Sequence, residues 1–250
     1  MNIVNFSPVI LVTGAARRVG AEIARVLHAA GACVAIHYHR SANDAAALAE
    51  VLNEDRANSA AIFQADLCAI DTLAPLVTAV GERFGRLDGL VNNASSFYPT
   101  KVGAIDTAAW DDLIGTNLRA PLLLAQAAAP YLAQHGGSIV NITDVHAERP
   151  LKGYVLYCAA KAGLLGLTRA LAVELGPQVR VNAVAPGAVE WPEEHGDFSP
   201  VERAAIIQHT LLKRVGSPSD IARTVKFLIF DAPYITGQII TVDGGRSAHL

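Results

Sequence analysis

A tyrosine and a lysine four positions apart, Tyr157 and Lys161, are the side chains of this sequence best suited to proton transfer. Residues with this spacing share one face of a helix. A free tyrosine has a pKa of about 10, and a neighbouring ammonium group lowers that pKa because it favours the phenolate. We therefore predict a proton-transfer pair in which Lys161 lowers the pKa of Tyr157. Ordinary surface helices also carry this spacing, so the pair needs a supporting context.

That context is a regular alternation of strand-like and helix-like segments. Short, mostly apolar runs predict strands buried on both faces of a parallel sheet. These strands are Val9–Val12, Cys33–Tyr38, Ala60–Gln64, Gly89–Asn92, Ser138–Ile142, Val179–Val184 and Ile239–Val242. Stretches of helical period separate them, at Val19–Ala30, Ala45–Asn53, Leu73–Phe84, Trp110–Gln134, Tyr154–Leu175 and Ser219–Phe230. The order predicts an α/β fold, a Rossmann-type doubly wound, seven-stranded and mainly parallel sheet with ligands beyond the carboxyl ends of its strands.

Composition narrows the function classes. The chain has 250 residues, 52% of them apolar, and a formal net charge of −3, which predicts one domain over residues 1–250. No basic run is longer than Arg17-Arg18, so we expect neither nucleic acid nor a membrane surface as a partner.

The apolar stretches fall short of the roughly 20 residues that cross a bilayer, and Met1–Pro8 lacks signal-peptide features, which predicts a cytoplasmic protein. Three scattered cysteines and eight histidines show no metal-ligand spacing, so no metal is expected.

The first two predicted strands end in residues suited to a dinucleotide. After the first strand, a glycine turn opens a helix whose N–H groups can meet a pyrophosphate. The residues expected there are Gly14, Arg17, Arg18 and Val19. An NAD-specific site has an acid at the end of the second strand, whereas this chain has His39, Arg40 and Ser41. A guanidinium group and a hydroxyl suit a 2′-phosphate, so we predict NADPH as the cofactor.

The next two strand ends fit the same ligand. Asp66 and Leu67 follow the third strand, where a carboxylate can accept the adenine amino group. Asn93, Ala94 and Ser95 follow the fourth strand, near the expected topological switch point. Together these residues trace one extended dinucleotide.

The assembled motifs resemble the short-chain dehydrogenase/reductase family over the whole chain. The matching residues are Thr13-Gly14…Gly20, Asn92-Asn93-Ala94, Asn117, Tyr157…Lys161, Pro186-Gly187 and Val242-Asp243-Gly244-Gly245. The resemblance implies that Asn117 bends its helix and holds a water in a proton relay. It also implies that Tyr157 and Lys161 contact the cofactor, and that Pro186 and Gly187 lie against the nicotinamide.

Three departures from the common family pattern resemble the bacterial type of pteridine reductase. Arg18 replaces a glycine, Asp144 replaces the usual catalytic serine, and Ser95 follows Asn-Asn-Ala where glycine is usual. An aspartate would repel the alkoxide that forms when a ketone is reduced. A carboxyl group can instead bind pterin ring N–H groups and relay a proton to nitrogen.

The resemblance implies NADPH-dependent reduction of dihydropterin to tetrahydropterin, with oxidised pterin and dihydrofolate as further candidate substrates. Hydride would reach a ring carbon, while Tyr157, Asp144 and water protonate the adjacent nitrogen. Phe97 would stack on the pterin, and Arg18 and Ser95 would contact both the cofactor phosphate and the pterin.

Several expectations concern the substrate side and the assembly. A substrate lid is expected at about residues 188–212, where Trp191 either closes over the substrate or packs as an anchor. Tyr154 is expected to line the pocket, and the family resemblance implies a homotetramer. Two alternative functions remain open from the sequence. The first is NADPH-dependent reduction of a carbonyl group in a 3-oxoacyl or sugar substrate, and the second is non-catalytic NADPH binding by a sensor.

Overall fold

The strands of the computed structural model, which describes residues 7–191 and 198–248, form one parallel sheet. In chain order they are β1 (Val9–Val12), β2 (Cys33–Tyr38), β3 (Ala60–Gln64), β4 (Gly89–Asn92), β5 (Ser138–Ile142), β6 (Arg180–Pro186) and β7 (Ile239–Val242). Their spatial order is β3-β2-β1-β4-β5-β6-β7. The order reverses between β1 and β4, and ligands of such sheets bind beyond the strand ends at this switch point.

Helices cover both faces of the sheet. Within the described residues they are α1 (Arg18–Ala29), α2 (Ala42–Asp55), α3 (Ile70–Phe84), α4 (Thr107–Ile114), α5 (Ala120–Ala133), α6 (Val155–Leu175), α7 (Pro200–His209) and α8 (Pro218–Lys226). Side chains alternate along β1, so that Ile10 and Val12 join a core with α1, α2 and α8. Val9 and Leu11 join the opposite core with α3 and α5. The predicted doubly wound sheet is confirmed.

The predicted strand bounds hold for six of the seven strands, and β6 is the exception. It begins at Arg180 and runs to Pro186, two residues beyond the predicted end. Pairing with β7 causes the extension, because Ala185 and Pro186 lie opposite Thr241 and Val242. The longer strand carries Pro186 to the edge where the cavity opens.

The prediction of one continuous helix over Trp110–Gln134 is wrong. A π-helical turn, Gly115–Arg119, separates α4 from α5. Inside it, the Asn117 side-chain amide donates to the Leu113 carbonyl at 2.9 Å, a contact that competes with the regular backbone ladder. A second π-helical turn, Phe227–Asp231, follows α8 and shortens the predicted helix Ser219–Phe230.

Helix α7 was not predicted, although its start has a recognisable signal. Ser199 accepts the N–H of Glu202, the Glu202 carboxylate accepts the N–H of Ser199, and Pro200 occupies the first turn. The helix buries none of its residues completely, so its apolar periodicity is weak. It lies within the predicted lid at 188–212, of which residues 192–197 fall outside the described residues.

Helix α6 is the one described helix long and apolar enough, by length and composition, to cross a membrane. More than half of its most apolar window, 56%, is buried inside the domain. The helix packs against β6 and the start of the segment after β5. The apolar side chains of the helix therefore pack in the core. The helix carries Tyr157 and Lys161, which line the cavity at the carboxyl ends of the strands.

Candidate active site

A cavity of about 2190 Å³ opens at the carboxyl ends of the strands. Its wall contains every residue predicted to bind cofactor or substrate except Tyr154, which is buried outside the lining. Asn117, predicted to be catalytic, also lies outside the lining and is 1% exposed. The cavity is large enough for a dinucleotide together with a second ring, since typical ligand pockets hold about 300–1,000 Å³.

The glycine turn after β1 packs closely against its own helix and against the segment after β4. Gly14 has a left-handed φ of +60°, and a Cβ added at Gly20 would lie 2.2 Å from the Gly14 carbonyl oxygen. Asn93 Nδ2 donates to the carbonyls of Thr13 and Gly14 at 2.9 and 3.1 Å. Helix α1 has no side-chain cap, so the N–H groups of its first turn are available to a phosphate.

Thr13 holds the two central strand ends together, a role that the sequence analysis missed. Its hydroxyl donates to the Val91 carbonyl and accepts the N–H groups of Asn93 and Ala94 at 2.9 and 3.0 Å. The threonine is 1% exposed. The signal was present, because a hydroxyl directly before the glycine turn can bridge β1 and β4.

The end of β2 presents cationic and hydroxyl groups to the cavity. Arg17 and Arg40 are exposed at its wall, and Arg17 Nε lies 3.8 Å from the Asp44 carboxylate. Ser41 begins α2 without a side-chain capping hydrogen bond, so its hydroxyl is not used by the helix. His39 Nε2 lies 4.0 Å from the Asp66 carboxylate. This donor set fits a phosphate on the 2′ oxygen of an adenosine ribose.

The candidate reaction centre contains a short hydrogen bond between Tyr157 and Asp144. The Tyr157 hydroxyl donates to Asp144 Oδ2 at 2.7 Å, and Asp144 Oδ1 accepts the N–H of His146 at 2.7 Å. Lys161 Nζ donates to the Ile142 carbonyl at 2.9 Å and lies 5.7 Å from the centre of the Tyr157 ring. Tyrosine and lysine are 4% and 2% exposed, so both act in a nearly dry environment.

The predicted lowering of the Tyr157 pKa is wrong for this arrangement. Burial raises the pKa of Tyr157 well above its ordinary value, and the Asp144 charge and its hydrogen bond raise it further. Burial also lowers the pKa of Lys161 to about 8, against a smaller opposing effect of Asp144. Tyr157 is consequently a neutral phenol at neutral pH, the form that can donate a proton.

Asn117 is engaged by the chain itself. Its Oδ1 accepts the Ser95 hydroxyl at 2.6 Å, and its Nδ2 donates to the carbonyls of Ser96 and Leu113, both at 2.9 Å. It lies inside the π-helical turn, and the implied bending of its helix and binding of a water stay predictions. Because its amide is used in these bonds, its evident role is to fix the segment after β4.

Phe97 and Tyr154 form a stacked aromatic pair. Their ring centres are 4.6 Å apart at an interplanar angle of 17°, and Phe97 meets Tyr157 edge-on at 4.8 Å. Phe97 lines the cavity, whereas Tyr154 is 8% exposed and lies outside the lining. The expectation that Tyr154 lines the pocket is therefore wrong, because its ring is used to support Phe97 from one side.

Arg18 connects the glycine turn to the beginning of the predicted lid. Its Nε lies 3.3 Å from the Glu190 carboxylate, and its Nη2 donates to the Trp191 carbonyl at 3.2 Å. The Trp191 ring lies 5.8 Å from Phe198 and 5.1 Å from the Arg203 guanidinium carbon. Trp191 thus packs against its neighbours and lines the cavity, and its closure over a substrate stays a prediction.

No group of three or more potential metal ligands occurs among residues 7–191 and 198–248. The cysteines of this part of the chain form no disulfide: Cys33 and Cys158 are buried, and Cys68 is half-buried at the cavity wall.

Comparisons with known proteins identify the family of the chain. The family model described as enoyl-(acyl carrier protein) reductase matches residues 14–247. Pteridine reductase 1 of Leishmania tarentolae is 42% identical over an alignment of 282 residues, which covers 96% of each chain. The 3-oxoacyl-(acyl-carrier-protein) reductase FabG of Staphylococcus epidermidis is 38% identical over 238 residues, covering 94% of this chain and 97% of the relative.

These matches and the fold define an oxidoreductase with a dinucleotide-binding sheet. The chain belongs to the short-chain dehydrogenase/reductase family.

Proposed function

We propose that the protein is an NADPH-dependent pteridine reductase that converts dihydropterins to tetrahydropterins, with oxidised pterins and dihydrofolate as further substrates. The hydrogen bond between Tyr157 and Asp144, at 2.7 Å, carries this proposal. It puts a carboxylate beside the proton donor, where ketone reduction would need a neutral group to receive a growing negative charge on oxygen. The similarity to Pteridine reductase 1 supports the same substrate class.

The residues present fit NADPH. Gly14, Val19 and the uncapped start of α1 suit the pyrophosphate, while Arg40 and Ser41 suit the 2′-phosphate. Asp66 and Leu67 would hold the adenine; Asn93, Ala94, Pro186 and Gly187 would line the path toward the nicotinamide. When bound, the cofactor supplies the hydride.

The pterin ring would be held by one aromatic face and by polar groups at its edge. Phe97 is fixed by Tyr154 and Tyr157, so it offers a rigid stacking surface at the cavity wall. Ser95 and Arg18 supply a hydroxyl and a guanidinium group on the same wall. Holding the flat ring in one orientation increases the rate of hydride transfer, because the entropy of aligning the reacting atoms is lost on binding and not in the chemical step.

Protonation of the ring nitrogen would be the task of Tyr157 and Asp144. Tyr157 carries its proton at neutral pH, and its phenol would give that proton to the substrate nitrogen as the hydride reaches the adjacent ring carbon. Asp144 is partly exposed and can accept a ring N–H or exchange a proton with water. The Lys161 ammonium, anchored to the Ile142 carbonyl, would contact the ribose of the nicotinamide half of the cofactor.

The test is the rate of cofactor oxidation with dihydrobiopterin, dihydromonapterin, dihydrofolate and a panel of ketones, each with NADPH and with NADH. We expect turnover of the dihydropterins with NADPH and none of the ketones. Turnover of ketones alone would overturn the substrate assignment, and equal rates with NADH would overturn the cofactor assignment.

A second candidate is an NADPH-dependent carbonyl reductase, favoured by the 38% identity to FabG. A 3-oxoacyl thioester in the same panel separates the two functions. If that thioester is the substrate, replacement of Asp144 by serine should increase its reduction, since serine removes the carboxylate charge from the site of the growing alkoxide.

A further inference from the structure

The buried histidine beneath the glycine turn has no part in the proposed chemistry, yet it contacts both halves of the cofactor cradle. His37 is 2% exposed and lies in β2, one residue before the strand end. The Gly14 N–H donates to its Nδ1 at 3.0 Å, and its Nε2 lies 3.2 Å from the Ala65 carbonyl. The His37 carbonyl also accepts the N–H of Ala15 at 2.9 Å.

These contacts fix the tautomer of the ring. A backbone N–H can only donate, so Nδ1 must be the unprotonated acceptor and Nε2 must carry the hydrogen that goes to Ala65. Burial lowers the pKa of His37 to about 4, with the nearby His39 adding to the fall and the Ala65 bond opposing it. The ring is therefore neutral, with each nitrogen used by a different loop.

The two loops hold different parts of the expected cofactor. Gly14 belongs to the turn that would face the pyrophosphate. Its φ is +60°, a conformation that glycine adopts readily, and its N–H is held by His37. Ala65 directly precedes Asp66, whose carboxylate accepts the Cys68 N–H at 2.9 Å and lines the cavity beside Leu67. One imidazole thus links the pyrophosphate side of the cavity to its adenine side.

We propose that His37 is a positioning residue for the cofactor, which sets the Gly14 turn through Nδ1 and the adenine-side loop through Nε2. This inference rests on the proposed NADPH function. It predicts that loss of the Nδ1 contact and loss of the Nε2 contact weaken the binding of different portions of the cofactor. A histidine with only a structural role would affect the binding of all portions equally.

Two isosteric variants separate the nitrogens. In His37→Asn the amide replaces Nδ1 and can still accept from Gly14, but nothing reaches Ala65; in His37→Gln the amide replaces Nε2 and can still donate to Ala65. The ligands are NADPH and adenosine 2′-monophosphate, which lacks both phosphates of the pyrophosphate and the nicotinamide half. Dissociation constants would be measured by fluorescence titration or calorimetry.

We expect His37→Gln to weaken NADPH about fivefold to tenfold, the value of one hydrogen bond, and to leave adenosine 2′-monophosphate within about twofold of wild type. We expect His37→Asn to weaken both ligands by similar factors. The control is His28→Asn, since His28 is equally buried and bonded to Ser59 at 2.6 Å but lies outside the cavity lining. It should lower the melting temperature and leave both dissociation constants unchanged.

Wild-type dissociation constants in both His37 variants, or parallel losses of both ligands in all three variants, would overturn the inference. Failure of the proposed cofactor gives a different result, namely wild-type protein that binds NADH and not NADPH. The His37 variants would then be titrated with NADH and with adenosine. His37→Gln must weaken NADH alone, and His37→Asn must weaken both ligands.

Discussion

Asp144 and Tyr157 share one short hydrogen bond, and its direction decides which side chain holds the proton. The tyrosine donates, the carboxylate accepts, and the pKa of the buried phenol is raised. Spacing alone suggested that Lys161 would lower this pKa. Burial and a carboxylate 13 residues earlier in the chain reverse the direction, and neither effect is visible in a Tyr-x-x-x-Lys pattern.

Replacing Asp144 by serine should reduce dihydropterin turnover by about 100-fold or more, because the variant loses the group that binds ring N–H and exchanges protons with water. The measurement is kcat/KM with dihydrobiopterin. Asp88→Asn is the matched control, since Asp88 pairs with Arg86 at the opposite end of β4 and lies outside the cavity. Unchanged turnover in Asp144→Ser would contradict the relay.

Replacing Arg40 by aspartate should weaken NADPH about 10-fold to 100-fold and leave NADH within about threefold, since only the former presents a 2′-phosphate to the guanidinium group. Dissociation constants for the two coenzymes provide the measurement. Arg25→Asp makes the same change of charge on an exposed position of α1 that does not line the cavity. Equal losses for NADPH and NADH would rule out this contact.

At the scale of elements, the strands were predictable because each is a short, mostly apolar run, and the central strands β1, β4 and β5 are buried on both sides. The π-helical turn was not, since it depends on Asn117 finding acceptors both in its own helix and in the segment after β4. Tyr154 was misplaced for a similar reason. Helical spacing fixes the direction of its side chain, but its stacking on Phe97 depends on a loop 57 residues away.

Asn117→Ala should lower dihydropterin kcat/KM at least about tenfold, because the segment carrying Ser95 and Phe97 loses its anchor. It should also reduce the free energy of unfolding by about 1–3 kcal/mol, the cost of unsatisfied buried partners.

Asn53→Ala separates the two effects. Asn53 makes two hydrogen bonds with Ala60 at the amino end of β3, far from the cavity lining. It should lose similar stability and keep full activity. If both variants lose activity in proportion to stability, Asn117 has no specific role in the site.

For the whole molecule, the buried Lys161 makes stability depend on pH. The unfolded chain keeps this proton up to the ordinary pKa of 10.5, whereas the folded chain releases it near about 8. Between these values the unfolded state binds more protons, so stability rises with pH. Tyr157 acts oppositely: its raised pKa stabilises the fold up to its ordinary value of 10.0 and this stabilisation is lost above it.

Lys161→Met isolates the lysine effect. From pH 8 to 10, the unfolding free energy of the cofactor-free wild type should rise by about 2 kcal/mol relative to the variant. Urea titrations at several pH values provide the measurement, and the difference between the proteins cancels all other titrating groups. A difference that stays constant over this range would mean that Lys161 keeps its ordinary pKa in the fold.

The contact of Trp191 with the cavity has an optical consequence. The chain has two tryptophans, and Trp110 lies on α4, 52% exposed and outside the cavity lining. In Trp110→Phe, the remaining indole sits in the cavity wall beside Arg203 and Phe198. Its emission then reports ligand entry directly, including ligands that are bound but never reduced, and distinguishes occupancy from turnover in a single cuvette.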